Sequence, residues 1–89
     1  MTDASDDSPS TNRLVGLVDA AVRGLVDHPD DVRVGLTERR GLQVLELRTA
    51  PEDMGKVIGR QGRTAAALRT IVTLAAEAQG LRAQLDILD

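Results

Sequence analysis

From Arg13 to Val26, apolar residues recur at three- and four-residue spacing, and Leu14, Leu17, Val18, Ala21, Val22 and Leu25 would form one stripe along a helix. Pro29 ends it, because the residue before a proline is driven out of the helical region. Val32, Val34 and Leu36 then alternate with charged or small residues, the spacing of a strand with one buried face. Glu38-Arg39-Arg40-Gly41 is a turn, and Leu42 to Thr49 a second strand with Leu45 and Leu47 on one face and Leu42 and Val44 on the other. The two strands make a hairpin.

Ala50-Pro51-Glu52-Asp53 opens a short helix, with proline at a position that needs no amide donor and two carboxylates at the positive end of the dipole. Gly59 and Gly62 interrupt it. Arg63 to Gln79 resumes as a long helix with Leu68, Ile71, Leu74, Ala75 and Ala78 inward, and Gly80 ends it. Ala83, Leu85 and Ile87 alternate in a last strand. The predicted class is α+β, a single domain of order α-β-β-α-α-β. Residues 1–12 are Ser, Thr, Asp and Pro with almost nothing to bury, so they are expected to form a disordered acidic tail ahead of a domain spanning 13–89.

Composition narrows the function. The chain has 89 residues and no cysteine, which excludes disulfides, thiolate metal sites and cysteine nucleophiles. No apolar run approaches the ~20 residues of a membrane span, and the polar, acidic start is unlike a signal peptide, so a cytoplasmic protein without a membrane partner is expected. Phe, Tyr and Trp are absent, which removes the stacking platforms used by many nucleic-acid binders. Net charge is −3, but Asp3, Asp6 and Asp7 supply all of it. Met54 to Ala76 holds Lys56, Arg60, Arg63 and Arg69 without one carboxylate, a local positive field.

The stretch Gly55-Lys56-Val57-Ile58-Gly59-Arg60-Gln61-Gly62-Arg63 carries the chemistry. Two glycines three apart, between a short helix and a long one, let the backbone turn sharply and leave no side chain to block a ligand. The turn delivers the N-terminus of the long helix, whose unpaired N–H groups attract phosphate oxygens. Lys56, Arg60 and Arg63 add charge, Gln61 offers a hydrogen bond, and Val57 and Ile58 would be core residues that also wall a groove for bases. A tight helix–helix turn needs glycine whether or not anything binds there, so the intervening cation decides for function. Arg69 is read as a solvated residue.

The segment is similar to the I-G-x-x-G signature of KH domains, and the element order resembles the type II form of that fold. Leu25-Val26-Asp27-His28-Pro29 and Ala50 to Gly59 resemble, more narrowly, the small bacterial KhpA (YlqC-type) proteins. The resemblance implies a three-stranded sheet backed by helices, a loop clamping about four nucleotides of single-stranded RNA, and a role as RNA chaperone or post-transcriptional regulator. It also implies association, as a homodimer or with a KhpB-like KH protein. Three cations on phosphates would give a single-strand salt slope of roughly −2. Arg60 stands where the family often has lysine, in a chain with ten arginines and one lysine, and either cation serves phosphate.

Rival readings fit less well. His28-Pro29-Asp30 matches the tripeptide of Hsp70 co-chaperone J-domains, but strand alternation follows where a second helix should. Gly62-Arg63-Thr64 lacks the lysine, preceding strand and acidic metal ligand of a phosphate-binding NTPase loop. One histidine and scattered carboxylates supply no nucleophile and base pair, so no enzyme, cofactor or metal is expected. The remaining alternative is a KH fold serving chiefly to dimerise, with Leu42 and Val44 as apolar surface outside the core.

Overall fold

A computed structural model describes residues 9–89. Its elements are α1 (Pro9–Arg23), β1 (Arg33–Arg39), β2 (Leu42–Arg48), α2 (Met54–Ile58), α3 (Arg63–Ala78) and β3 (Arg82–Ile87). Single 3-10 turns occupy Pro29–Asp31, Pro51–Asp53 and Arg60–Gly62. The order is the one the periodicity predicts.

Two boundaries move. Helix α1 begins at Pro9, so Pro9 to Asn12, expected in the tail, are helical, and Thr11 is buried against the domain. The rest of the expected tail, residues 1–8, lies outside the described residues. At its other end α1 stops at Arg23, three residues early, where Gly24 and Leu25 turn the chain back through bonds from their amides to the carbonyls of Ala20 and Val22. The hairpin turn is also tighter than expected. Arg40 and Gly41 alone connect the strands, with φ of 52° and 82°, the double left-handed geometry that matches the twist of paired strands.

Strand β1 pairs antiparallel with β2, and β2 pairs parallel with β3, in the order β1-β2-β3. A parallel neighbour requires a crossover, and α2, the glycine loop and α3 provide it. Strand β3 starts beside Leu42, just past the hairpin turn. Helix α3 ends four residues before β3 starts, so its C-terminal end also lies there. Its 16 residues span about 24 Å, which puts the glycine loop at the opposite end of the sheet.

The helices cover one sheet face. Leu14, Val18 and Val22 of α1, Leu45 and Leu47 of β2, Val57, then Leu68, Val72 and Ala76 of α3 and Leu85 of β3 form one aliphatic core with Val32. Each fully buried Val or Leu contributes on the order of 1.5–3 kcal/mol relative to exposure. The stripes are narrower than the sequence suggests. Leu17 stands outside the α1 stripe, Leu25 beyond the end of α1, and Ile71 and Leu74 outside the stripe of α3, all of them exposed. Helix α3 instead approaches through Ala65, Leu68, Val72 and Ala76, whose small members let it lie close to the sheet.

The other sheet face is ordered by register. Arg39, Leu42 and Arg82 stand in one row, Thr37, Val44 and Gln84 in the next, Gly35, Glu46 and Asp86 in a third, and Arg33 and Arg48 in the last. Val44, expected as outward apolar surface, is fully buried, because it sits on the central strand between the neighbouring side chains of Thr37 and Gln84. This face therefore offers no apolar dimerisation surface around Val44.

Candidate nucleic-acid interface

Gly59 closes α2, its amide donating to the Gly55 carbonyl at 2.8 Å, and has φ 78° and ψ 170°. That region is essentially closed to other residues. A β-carbon there would also collide with Thr64, lying against its hydroxyl, 2.7 Å from its Cβ and 2.8 Å from its amide nitrogen. The absence of a side chain at Gly59 is thus a condition for the first turn of α3 to pack where it does. Gly62 differs. Its φ of 73° is left-handed, but a β-carbon there meets no atom within 4 Å, so the space over Gly62 is open to a ligand.

Between them Gln61, a non-glycine residue, takes φ 57° and ψ 27°, at a cost on the order of 1–2 kcal/mol. The Arg63 guanidinium donates to its side-chain carbonyl oxygen at 3.3 Å, so both side chains are gathered over the loop. Arg60 is exposed, its carbonyl accepts the Arg63 amide, and its side chain makes no hydrogen bond or ion pair among the described residues. Gly62 is the N-cap of α3 and supplies no side-chain oxygen, so the start of that helix has no side-chain cap, although the Arg63 amide donates to the Arg60 carbonyl.

The other expected site residues divide. Val57 is fully buried in the core, so it supports the loop from beneath and presents no wall to a base. Ile58 is 37% exposed. Lys56 Nζ is 3.1 Å from the Asp27 carboxylate, an exposed pair. Asp27 lies far from the loop in sequence, so the field around α2 is less positive than the carboxylate-free stretch implies.

Asp27 and His28 are held there by Asp53, which has no exposed surface. Its carboxylate accepts the backbone N–H groups of Asp27 at 3.2 Å and His28 at 2.9 Å and faces His28 Nδ1 at 3.1 Å. Asp53 was expected only to complement the dipole of α2; it fastens the loop after α1 to the turn before α2. Burial pushes its carboxyl up, but the two amides and the imidazole outweigh this and hold it below the ordinary value of 3.8. The hydrogen bond to Asp53 raises His28 above 6.5, against partial desolvation and with help from the charges of Asp53, Glu52 and Asp31.

A raised histidine value means that the proton binds the folded state more tightly. The His28 contribution to stability is therefore complete below about pH 6.5 and is lost as pH rises through the folded-state value. The Asp53 contribution has the opposite sign and is lost as acid protonates the carboxylate. Thermal melts at pH 5.5 and 8.5 should show wild type losing stability at the higher pH relative to His28→Gln; parallel behaviour of the two would refute the assignment.

A seam runs along α3 and β3, starting at Arg69, about two turns into α3 from the loop. Its first depression is lined by Arg69, Thr70, Thr73 and Leu74, its second by Arg69, Thr73 and the stretch from Ala83 to Asp86. The third is lined by Leu42, Thr73, Glu77, Leu81, Arg82 and Ala83. Shared residues make them continuous. Arg69, read as a solvated residue, lies in this seam with its Nε 3.4 Å from the Leu85 carbonyl. Sequence gave no signal for the seam, because Thr73, Ala83 and Leu85 come from two elements and meet only in the fold.

Comparison with known proteins identifies the family. The family model described as KhpA/KhpB, KH domain, matches residues 16–87. RNA-binding protein KhpA of Leifsonia xyli is 57% identical over 68 residues, 76% of this chain and 87% of that protein. RNA-binding protein KhpA of Halalkalibacterium halodurans is 53% identical over 73 residues, covering 82% and 96%. The solved structure of Aquifex aeolicus Era matches with a TM-score of 0.60 at 15% identity, over 83% of this chain and 29% of that one, a likeness of fold. The family is one of KH-domain proteins and not of enzymes. No helix among the described residues is long and apolar enough to cross a membrane. With Gly59-Arg60-Gln61-Gly62 set between α2 and α3 of an α-β-β-α-α-β domain, the chain belongs to the KhpA/KhpB family of KH domains.

Proposed function

We propose that this protein holds single-stranded RNA, with the sugar-phosphate crossing Gly59 to Gly62 and the bases entering the α3–β3 seam. The observation that carries the reading is the loop itself: a cationic side chain without a partner, an open glycine and a helix N-terminus with no side-chain cap meet at the start of α3, the helix that flanks the seam. Arg60, Arg63 and Arg69 meet phosphates, Gln61 bonds sugar or phosphate, Ile58 borders the strand, and Lys56 joins by exchanging Asp27 for phosphate. RNA, and not DNA, follows the relatives named RNA-binding proteins. Such a module, with four nucleotides contacted and no aromatic stacking, binds weakly and with little sequence preference, which suits a cytoplasmic RNA chaperone or post-transcriptional regulator.

Titrating a short labelled single-stranded RNA at several salt concentrations tests this. Four phosphate contacts give a slope of log K against log salt of roughly −3; binding that ignores salt would contradict it.

A second reading, which competes with the first because Leu74 also lines the first depression of the seam, is association through α3. Leu74 is 60% and Ile71 44% exposed, apolar surface on the helix that bears the loop. A second copy, or a KhpB-like KH protein, would cover it. Sedimentation of the RNA-free samples decides between a monomer and a dimer.

A further inference from the structure

Resting on the RNA-binding reading, we propose that Arg39, Arg40 and Arg82 form a second phosphate-binding clamp at the far end of the seam, extending the RNA track beyond the nucleotides held at the glycine loop. The sheet register assembles it. Arg39 is paired with Leu42, and Leu42 with Arg82, so the two arginines flank one leucine on the face away from the core, with Cα atoms about 10 Å apart across two strand spacings. Arg40 follows directly, at the left-handed position of the hairpin turn. All three are exposed, and none of their side chains makes an ion pair or hydrogen bond among the described residues. Three guanidinium groups within one row and its turn, in a body whose basic and acidic residues balance only when these three are counted, form a local anion site.

The clamp lies where a bound strand would go. The third depression of the seam is lined by Leu42 and Arg82 and shares Thr73 and Ala83 with the second. A strand leaving the loop and following α3 for about 24 Å arrives at Arg82. Two carboxylates moderate the field: Glu77 lines the same depression, and Glu38, on the opposite strand face by register, precedes Arg39. Neither is ion-paired with the arginines. The clamp is independent of base identity, since guanidinium groups on an open sheet face meet phosphate and not base edges. It raises affinity for longer strands without adding sequence preference.

The experiment compares a tetranucleotide and a decanucleotide of single-stranded RNA, each titrated at several salt concentrations against the full chain. The protein forms are wild type, Arg39→Gln/Arg40→Asn/Arg82→Gln, and Glu77→Gln, with folding followed by circular dichroism. Asparagine is chosen at Arg40 because it tolerates the left-handed backbone. The proposal expects the triple variant to bind the decamer about tenfold or more weakly, to lose roughly two units of salt slope, and to keep wild-type affinity for the tetramer. It expects Glu77→Gln to bind the decamer more tightly, which holds as a test if the triple variant folds poorly. Unchanged decamer binding in both variants would overturn it and leave the arginines facing some other partner, such as an acidic protein. Equal losses for tetramer and decamer would also overturn it, showing a diffuse charge effect. If wild type binds neither RNA, the RNA-binding reading fails and the clamp fails with it.

Discussion

Gly59→Ala should cost this domain about 4 kcal/mol and lower its melting temperature by roughly 20 °C, whereas Gly62→Ala, three residues on, should cost about 1 kcal/mol. The two glycines of the loop are equivalent in sequence and unequal in the fold. At Gly59 a side chain meets two obstacles at once: a backbone with φ 78° and ψ 170°, and a Thr64 whose Cβ and amide nitrogen lie 2.7 and 2.8 Å from where the new carbon would stand. Thr64 belongs to the first turn of α3, so relief requires moving the helix whose Leu68 and Val72 complete the core. At Gly62 only the left-handed φ is penalised, because nothing lies within 4 Å. Small domains sit near the low end of the 5–15 kcal/mol range, so Gly59→Ala approaches the limit of folding at 37 °C. Thermal and urea melts followed by circular dichroism decide it, and melting temperatures within about 5 °C of each other for the two variants would show that the loop relaxes around a side chain.

Much of the fold is legible in the sequence because its core is one-sided. Strand alternation marks β1 and β3 cleanly, and the proline and glycine positions punctuate the rest. What misleads is stripe width. Leu17, Ile71 and Leu74 fall within a generous helical stripe and are nevertheless exposed, because a three-stranded sheet covers only the narrow ridges Leu14-Val18-Val22 and Ala65-Leu68-Val72-Ala76; Leu25 is exposed because α1 ends at Arg23, before it. Val44 errs the other way, since neighbours on both adjacent strands bury a valine that alternation turns outward.

The loop is legible because its determinants are local: two glycines and the cations between and beside them. The groove that a base would enter is not. It depends on the parallel pairing of β3 with β2, which brings Ala83 and Leu85 alongside α3. The Asp53 fastening is equally hidden, since its donors, Asp27 and His28, stand about 25 residues upstream.

The central claim is that RNA lies on the Gly59–Gly62 loop, and reversing the charge there is its sharpest test. Arg60→Asp replaces a cation with an anion, and Gln61→Asp adds a second anion beside it. Both positions are exposed, and the left-handed backbone at Gln61 suits aspartate at least as well as glutamine, so the fold should be retained. Three charge units removed from the phosphate path should weaken binding by about 2–3 kcal/mol near 0.1 M salt, on the order of a hundredfold. The measurement is fluorescence anisotropy of a labelled single-stranded RNA titrated with wild type and with the double variant, each checked by circular dichroism. Loss of binding with an intact fold is the predicted result. Equal affinities for the two proteins would contradict the account and place the RNA elsewhere on the molecule.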